Sequence, residues 1–173
     1  MTKGCSQLQR LSITSTNLGD LSSKAIASIA DLHNLSLLYL KQQGIDDNGI
    51  RAIATRCPLL DNVYLNECRS ISPAAFGVLG DRSGLKCLNL YKTRININSF
   101  FSIALKCRDL KSMGVEECME LPGELRRTFD TPEEIQALRK QLLLPEEIQY
   151  LRDKLLLEAS LRSVPMCTMT FGK

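Results

Sequence analysis

Tryptophan is absent from this 173-residue sequence, histidine occurs once, and aromatic residues make up only 5%. Long apolar runs are missing as well. Nothing approaches the roughly 18 residues that a membrane-crossing helix needs, so no membrane insertion is expected. The start, Met1 to Cys5, lacks the charged-then-apolar pattern of a secretory signal. From that absence an internal, reducing compartment is expected, with the cytoplasm first. Neither sign of charge dominates: residues 1–121 hold 14 basic and 11 acidic side chains, and 122–173 hold 8 of each. A nucleic-acid partner calls for a clustered basic face, so none is expected. Phosphate loops, paired catalytic carboxylates and nucleophile–base spacings are missing, so no enzyme is expected and no catalytic or cofactor-binding residue is named.

What is present is a period. Leu35, Leu60, Leu85 and Leu110 recur every 25 residues, and Leu8 precedes Leu35 by 27. Around each the same phrase returns: Leu8-x-x-Leu11-x-Ile13, Leu35-x-x-Leu38-x-Leu40, Leu60-x-x-Val63-x-Leu65, Leu85-x-x-Leu88-x-Leu90 and Leu110-x-x-Met113-x-Val115. A fixed period in this range marks a solenoid whose units cannot bury their own apolar faces. Each phrase is a short strand with its leucines inward, stacking into a parallel sheet. A turn and a helix follow. In the second unit Asp46 or Asp47 caps the helix, and Ile50, Ile53, Ala54 and Cys57 fall at i, i+3, i+4, i+7. The third has Ser72 as cap residue and Pro73 in the first helical turn, followed by Phe76, Leu79 and Gly80. In the fourth, Ile95-Asn96 leads into Phe100, Ile103, Ala104 and Cys107. The first unit runs two residues longer between Leu18 and Ala30, with Ile26, Ile29 and Ala30 apolar. The expected fold is α/β: a horseshoe with the sheet inside, helices outside, and a C-terminal helical segment.

Five of the seven cysteines keep the register. Cys5, Cys57 and Cys107 stand three residues before a repeat leucine, and Cys68 and Cys118 stand eight after one. They read as small core thiols at the corners between strand, loop and helix. Zinc needs close pairs such as C-x2-C, and none occurs, so no metal is expected. His33, beside Leu32 at a helix-to-strand corner, reads as structural. Cys87 lies on a strand position expected to face outward and is the thiol expected to be accessible.

The repeat leucines, the helix-end cysteines (Cys57-Pro58, Cys107) and the post-strand cysteines (Cys68, Cys118) resemble the cysteine-containing leucine-rich repeat family. That family is best known from the substrate-binding regions of F-box proteins in ubiquitin ligases. The resemblance covers residues 5–121, and it implies a binding role. The residues ahead of Leu8 carry no F-box, so on this sequence the family's attachment to its ligase adaptor is not expected.

The residues projecting from the inner sheet form columns. One reads Ser12, Tyr39, Tyr64, Asn89, Gly114, and the next reads Thr14, Lys41, Asn66, Tyr91, Glu116. Three of the four tyrosines thus meet on the concave face in adjacent repeats. Two readings stand: interaction anchors, since tyrosine offers area and a hydroxyl at low entropic cost, or residues that simply suit exposed strand positions. Under the first, the partner-binding residues are Tyr39, Lys41, Tyr64, Asn66, Asn89, Tyr91 and Glu116.

The period stops after Leu121-Pro122-Gly123, dividing the chain into a repeat domain of about five units (1–121) and an extension (122–173). Residues 132–144 and 145–157 are a tandem duplication, identical at 10 of 13 positions. Thr131 caps the first copy, with Pro132 in its first turn and Glu133 and Glu134 at its positive end. Ile135, Leu138 and Leu142 form one apolar stripe, and Ile148, Leu151 and Leu155 form its twin. Pro145 breaks or kinks the run between them. Helices this short need burial, either against the open end of the solenoid or against a partner or second copy. Residues 158–173 carry no period. At the other end Leu8, Leu11 and Ile13 lie at an edge expected to be covered by a preceding region or another subunit. The expected function is a non-enzymatic protein-binding module, as scaffold or subunit of a multi-subunit assembly; the alternative is substrate recognition within an SCF-type ubiquitin ligase.

Overall fold

A computed structural model describes residues 5–14, 23–42, 44–82 and 84–143. Within them strands and helices alternate: β1 (Arg10–Thr14), α1 (Ser23–Ala30), β2 (Leu37–Lys41), α2 (Asp47–Arg56), β3 (Asn62–Asn66), α3 (Pro73–Gly80), β4 (Cys87–Asn89), α4 (Ile97–Lys106), β5 (Ser112–Gly114), β6 (Thr128–Phe129) and α5 (Pro132–Leu143). The fold is α/β, with five helices and one six-stranded sheet in sequence order among the described residues. The first five strands are parallel, and β6 pairs antiparallel with β5.

The 25-residue period becomes sheet register. Leu38 pairs with Val63, Val63 with Leu88 and Leu88 with Met113. Side chains alternate across a strand, so these residues and Leu40, Leu65, Leu90 and Val115 point into the core, each 0–1% exposed. Between them lie Tyr39, Tyr64 and Asn89, half-buried on the opposite, open face. At the sheet's first edge Leu11 and Ile13 remain half-exposed where their later equivalents are buried.

Capping follows the sequence with one correction. Asp46 Oδ1 accepts from Gly49 N at 2.9 Å and Asn96 Oδ1 from Ser99 N at 3.0 Å. Ser72 takes the cap position of α3 without capping it. Its hydroxyl is spent on the previous unit, donating to Asp47 Oδ2 at 2.6 Å while its N–H donates to Asp47 Oδ1 at 2.7 Å. These bonds hold the Asp47 carboxyl below the usual range.

The cysteines explain their own spacing. Cys57 Sγ donates to the oxygens of Ile29 and Ala30, and Cys107 Sγ to those of Leu79 and Gly80, at 3.3–3.8 Å. The last carbonyls of a helix lack intrahelical partners, and here the thiol of the next unit supplies one. Cys68 and Cys118 donate to Leu40 O and Leu90 O one unit back. All four are buried. Cys5 departs from the expectation and is exposed; no described helix precedes it to offer its thiol a carbonyl end.

Extension residues 122–143 add more than the expected helix. A 3-10 turn, Gly123–Leu125, leads to β6, and the Phe129 ring packs tilted against Phe100 with centroids 5.9 Å apart. Thr131 caps α5 as expected: its Oγ1 accepts from Glu134 N at 3.2 Å, while Glu134 Oε2 accepts from Asp130 N and Thr131 N, a reciprocal capping box. Ile135, Leu138 and Leu142 are buried. Arg139 Nε donates to Ala104 O at 2.7 Å, and its other nitrogens reach Cys107 O and Arg108 O. Thus α5 docks on the end of α4. The second copy, 145–157, and residues 158–173 lie outside the described residues.

Candidate functional site

The open face of the sheet is set by the strand pairing. Ser12, Tyr39, Tyr64, Asn89 and Gly114 stand in one register row. Thr14, Lys41 and Asn66 stand in the next, and Tyr91 and Glu116 continue it through backbone bonds: Glu67 N donates to Tyr91 O at 2.8 Å and Lys92 N to Glu116 O at 2.9 Å. All seven residues singled out from the sequence therefore lie on this face.

They do not form one tyrosine patch. Tyr39 and Tyr64 touch, with ring centroids 5.9 Å apart and planes tilted by 39°. Such a pair contributes about 0.5–1.5 kcal/mol beyond its buried area. Burial raises the Tyr64 phenol pKa, with the neighbouring Cys87 adding to the rise. Tyr91 belongs to the other row and makes no ring contact with that pair; a hydrogen bond between its hydroxyl and the Glu117 carboxylate raises its pKa. Side chains shrink along the first row from the tyrosine pair to Asn89 and then Gly114. A Cβ at Gly114 would come within 2.6 Å of Asn89 Nδ2 and 3.1 Å of Glu116 Oε2, so a larger residue there would have to push these two side chains aside. Asn89 Oδ1 in turn accepts from Tyr91 N at 3.0 Å.

Sequence reasoning missed the charged line beside these rows. Gln42, Glu67, Lys92 and Glu117 follow the strands at 25-residue spacing, each with φ between 55° and 60°. Left-handed backbone disfavours side chains other than glycine's, so four in register reflect a turn imposed by the repeat. Glu67, its side chain 15% exposed, is the hub. It accepts from Gln42 Nε2 at 3.3 Å and pairs with Lys41 at 3.8 Å and Lys92 at 3.7 Å. The Gln42 bond and then the two ammonium groups hold its carboxyl below the usual range. Lys92 also reaches Glu117 at 4.0 Å. A shallow cleft of about 350 Å³ opens beside this line, among Arg69, Lys92, Arg94, Glu117, Met119 and Glu120.

Two acceptors on the face are left over. Asn66 Oδ1 and Glu116 Oε2 are buried and have no hydrogen-bond partner, and no ion pair reaches Glu116 among the described residues.

Among the described thiols Cys87 is half-buried, and Cys5 is the exposed one. Burial and the Asp61 carboxylate raise its pKa. His33 Nδ1 lies 2.9 Å from Arg56 O across the corner between units. Among the described residues no group of three or more histidine, cysteine or acidic side chains is placed to hold a metal ion, and no helix is long and apolar enough to cross a membrane.

No protein-family model matches the sequence. Over 119 residues it is 26% identical to F-box/LRR-repeat protein 4 of Bos taurus, a match that takes in 66% of this chain and 19% of that protein. The chain therefore spans about a fifth of that relative's length. The likeness is partial and consistent with the repeat seen in the strands.

Proposed function

We propose that the chain is a leucine-rich repeat solenoid, with its sheet on the concave side and its helices on the convex side. In this reading residues 1–121 form the repeat domain, and the extension from 122 closes its last unit through α5. It acts inside the cell as a non-enzymatic protein-interaction module, and its concave face receives the partner. The observation that carries this is the Tyr39–Tyr64 pair, two large rings in contact on an open sheet face. Interaction energy concentrates in such aromatic anchors, and a solenoid offers one extended surface to place them on.

The partial likeness to F-box/LRR-repeat protein 4 favours a second, narrower reading: substrate recognition within an SCF-type ubiquitin ligase. Co-purification with the full chain, followed by mass spectrometry, separates the two. Recovery of a ligase adaptor and cullin together with the bound protein supports the narrower reading. Recovery of a different multi-subunit assembly supports a scaffold role. Partners retained equally when Tyr39 and Tyr64 are both replaced by alanine contradict both.

A further inference from the structure

We propose that residues 145–157, the second copy of the tandem duplication, compete with α5 for the end of the last repeat unit, so that one socket is covered by either of two segments of the same chain. This goes beyond the binding role of the sheet face and does not depend on it.

The last unit supplies the socket. Helix α5 packs on α4 and β5, burying Ile135, Leu138 and Leu142. Arg139 fastens it, donating to Ala104 O at 2.7 Å and reaching Cys107 O and Arg108 O. Those carbonyls close α4, where intrahelical donors run out. The occupant is therefore defined by four side chains: three apolar residues on one helical stripe and a guanidinium beside them.

The second copy repeats all four, with Ile148, Leu151, Leu155 and Arg152 at the matching positions. The copies differ where the first has Ala137, Lys140 and Gln141 and the second has Tyr150, Asp153 and Lys154. All three of these positions are exposed on the docked α5, so the larger ring and the changed charges would meet solvent in the same seat. Apart from Pro132 and Leu143 at its ends, α5 exposes Glu133, Gln136, Ala137, Lys140 and Gln141. That polar side gives the second stripe little to bury against. A short amphipathic helix needs burial, and the surface that matches this stripe is the one its twin occupies.

The two copies do not compete equally. Thr131 Oγ1 accepts from Glu134 N, and Glu134 Oε2 accepts from Asp130 N and Thr131 N. Leu144 stands at the place of Thr131 in the second copy and has no side-chain acceptor. The link from β6 is residues 130–131 for the first copy and 130–144 for the second, and a longer loop costs more entropy to close. The first copy thus holds the socket, and the second enters when the first leaves. One copy can be given up without baring α4.

Hydrogen exchange by mass spectrometry on the full chain tests this. Leu138→Asp with Arg139→Ala, which disables the first copy, should raise protection of 145–157 at least about tenfold over the parent while α4 keeps its own. The matching pair, Leu151→Asp with Arg152→Ala, should leave 132–143 at least as protected as in the parent. All four substitutions together should strip α4 of protection and lower Tm below that of either pair. Leu144→Thr, which gives the second copy a cap and touches no socket residue, should lower protection of 132–143 about fivefold, the worth of a cap, with that of α4 unchanged. No rise at 145–157 in the first pair, equal loss at α4 in the first pair and the four-site variant, or a Leu144→Thr profile identical to the parent would overturn the proposal. So would a loss at 132–143 in the second pair, which would mean that the copies pack on each other. A rise at 145–157 that fades on dilution would overturn it too, by placing the second copy on another molecule.

Discussion

Arg82 donates to the main-chain oxygen of Cys57 at 2.7 Å, and it stands 25 residues from both Cys57 and Cys107 in the place those thiols occupy. A guanidinium thus replaces a thiol at one corner of the repeat. It reaches further, to Ile53 O, Ala54 O and Leu60 O as well, gathering the end of α2 and the start of the next strand segment. Arg139 does the same for α4 from the extension. Arg82→Ala should therefore cost about 2 kcal/mol, as buried carbonyls lose their donor, whereas Arg82→Cys should recover part of that by restoring the thiol. Urea denaturation of the three proteins checks it; equal stability of the two variants would refute the exchange.

The extension is held by Arg139 and by its capping box. Arg139→Ala should destabilise the docking of α5 by about 1–3 kcal/mol, and Thr131→Ala by about 1 kcal/mol. Hydrogen exchange should show the loss confined to Pro132–Leu143 in both variants, with protection in the strands retained.

Thiol chemistry should follow burial. Of the six described thiols in native protein, Cys5 should be alkylated first, Cys87 more slowly, and Cys57, Cys68, Cys107 and Cys118 only on unfolding, since the thiolate is the reactive form. Burial raises the Cys107 thiol to about 11. A raised folded-state value favours the neutral thiol in the fold, so its stabilising contribution is intact below the unfolded value and is lost as pH rises from about 9 to about 11. Mass spectrometry after timed alkylation gives the order.

Acid should act through Glu67. Its folded-state pKa lies below the unfolded one, so its contribution is present above the ordinary glutamate range and disappears as pH falls through the depressed value. Glu67→Gln should lower stability at neutral pH and flatten the acid limb of the stability profile. An acid limb identical to that of the parent protein would show that the Gln42–Lys41–Lys92 cluster adds nothing.

The strands were legible because an inward leucine every second residue and a 25-residue return leave one register that buries them all. Asp46, Asn96 and Thr131 were legible as caps because each stands at a point where apolar periodicity begins. Ser72 misled, since a hydroxyl that can cap can equally bond across to the neighbouring Asp47. Thr128–Phe129 is too short for any alternation, so β6 escaped notice. The left-handed line of Gln42, Glu67, Lys92 and Glu117 carries no glycine to announce it. Only its spacing of 25 could have revealed it. Column membership gave Tyr91 its row, but its hydrogen bond to Glu117 depends on a side chain outside either column.

A protein partner should bind the open face through the Tyr39–Tyr64 pair. The most direct measurement is the affinity of the co-purified partner for the full chain and for Tyr39→Ala and Tyr64→Ala, with thermal unfolding recorded for each. The expected result is a loss of at least about 1 kcal/mol in binding for each variant with the cooperative unfolding transition retained. Undiminished affinity in both variants would contradict the account and move the interaction to another surface.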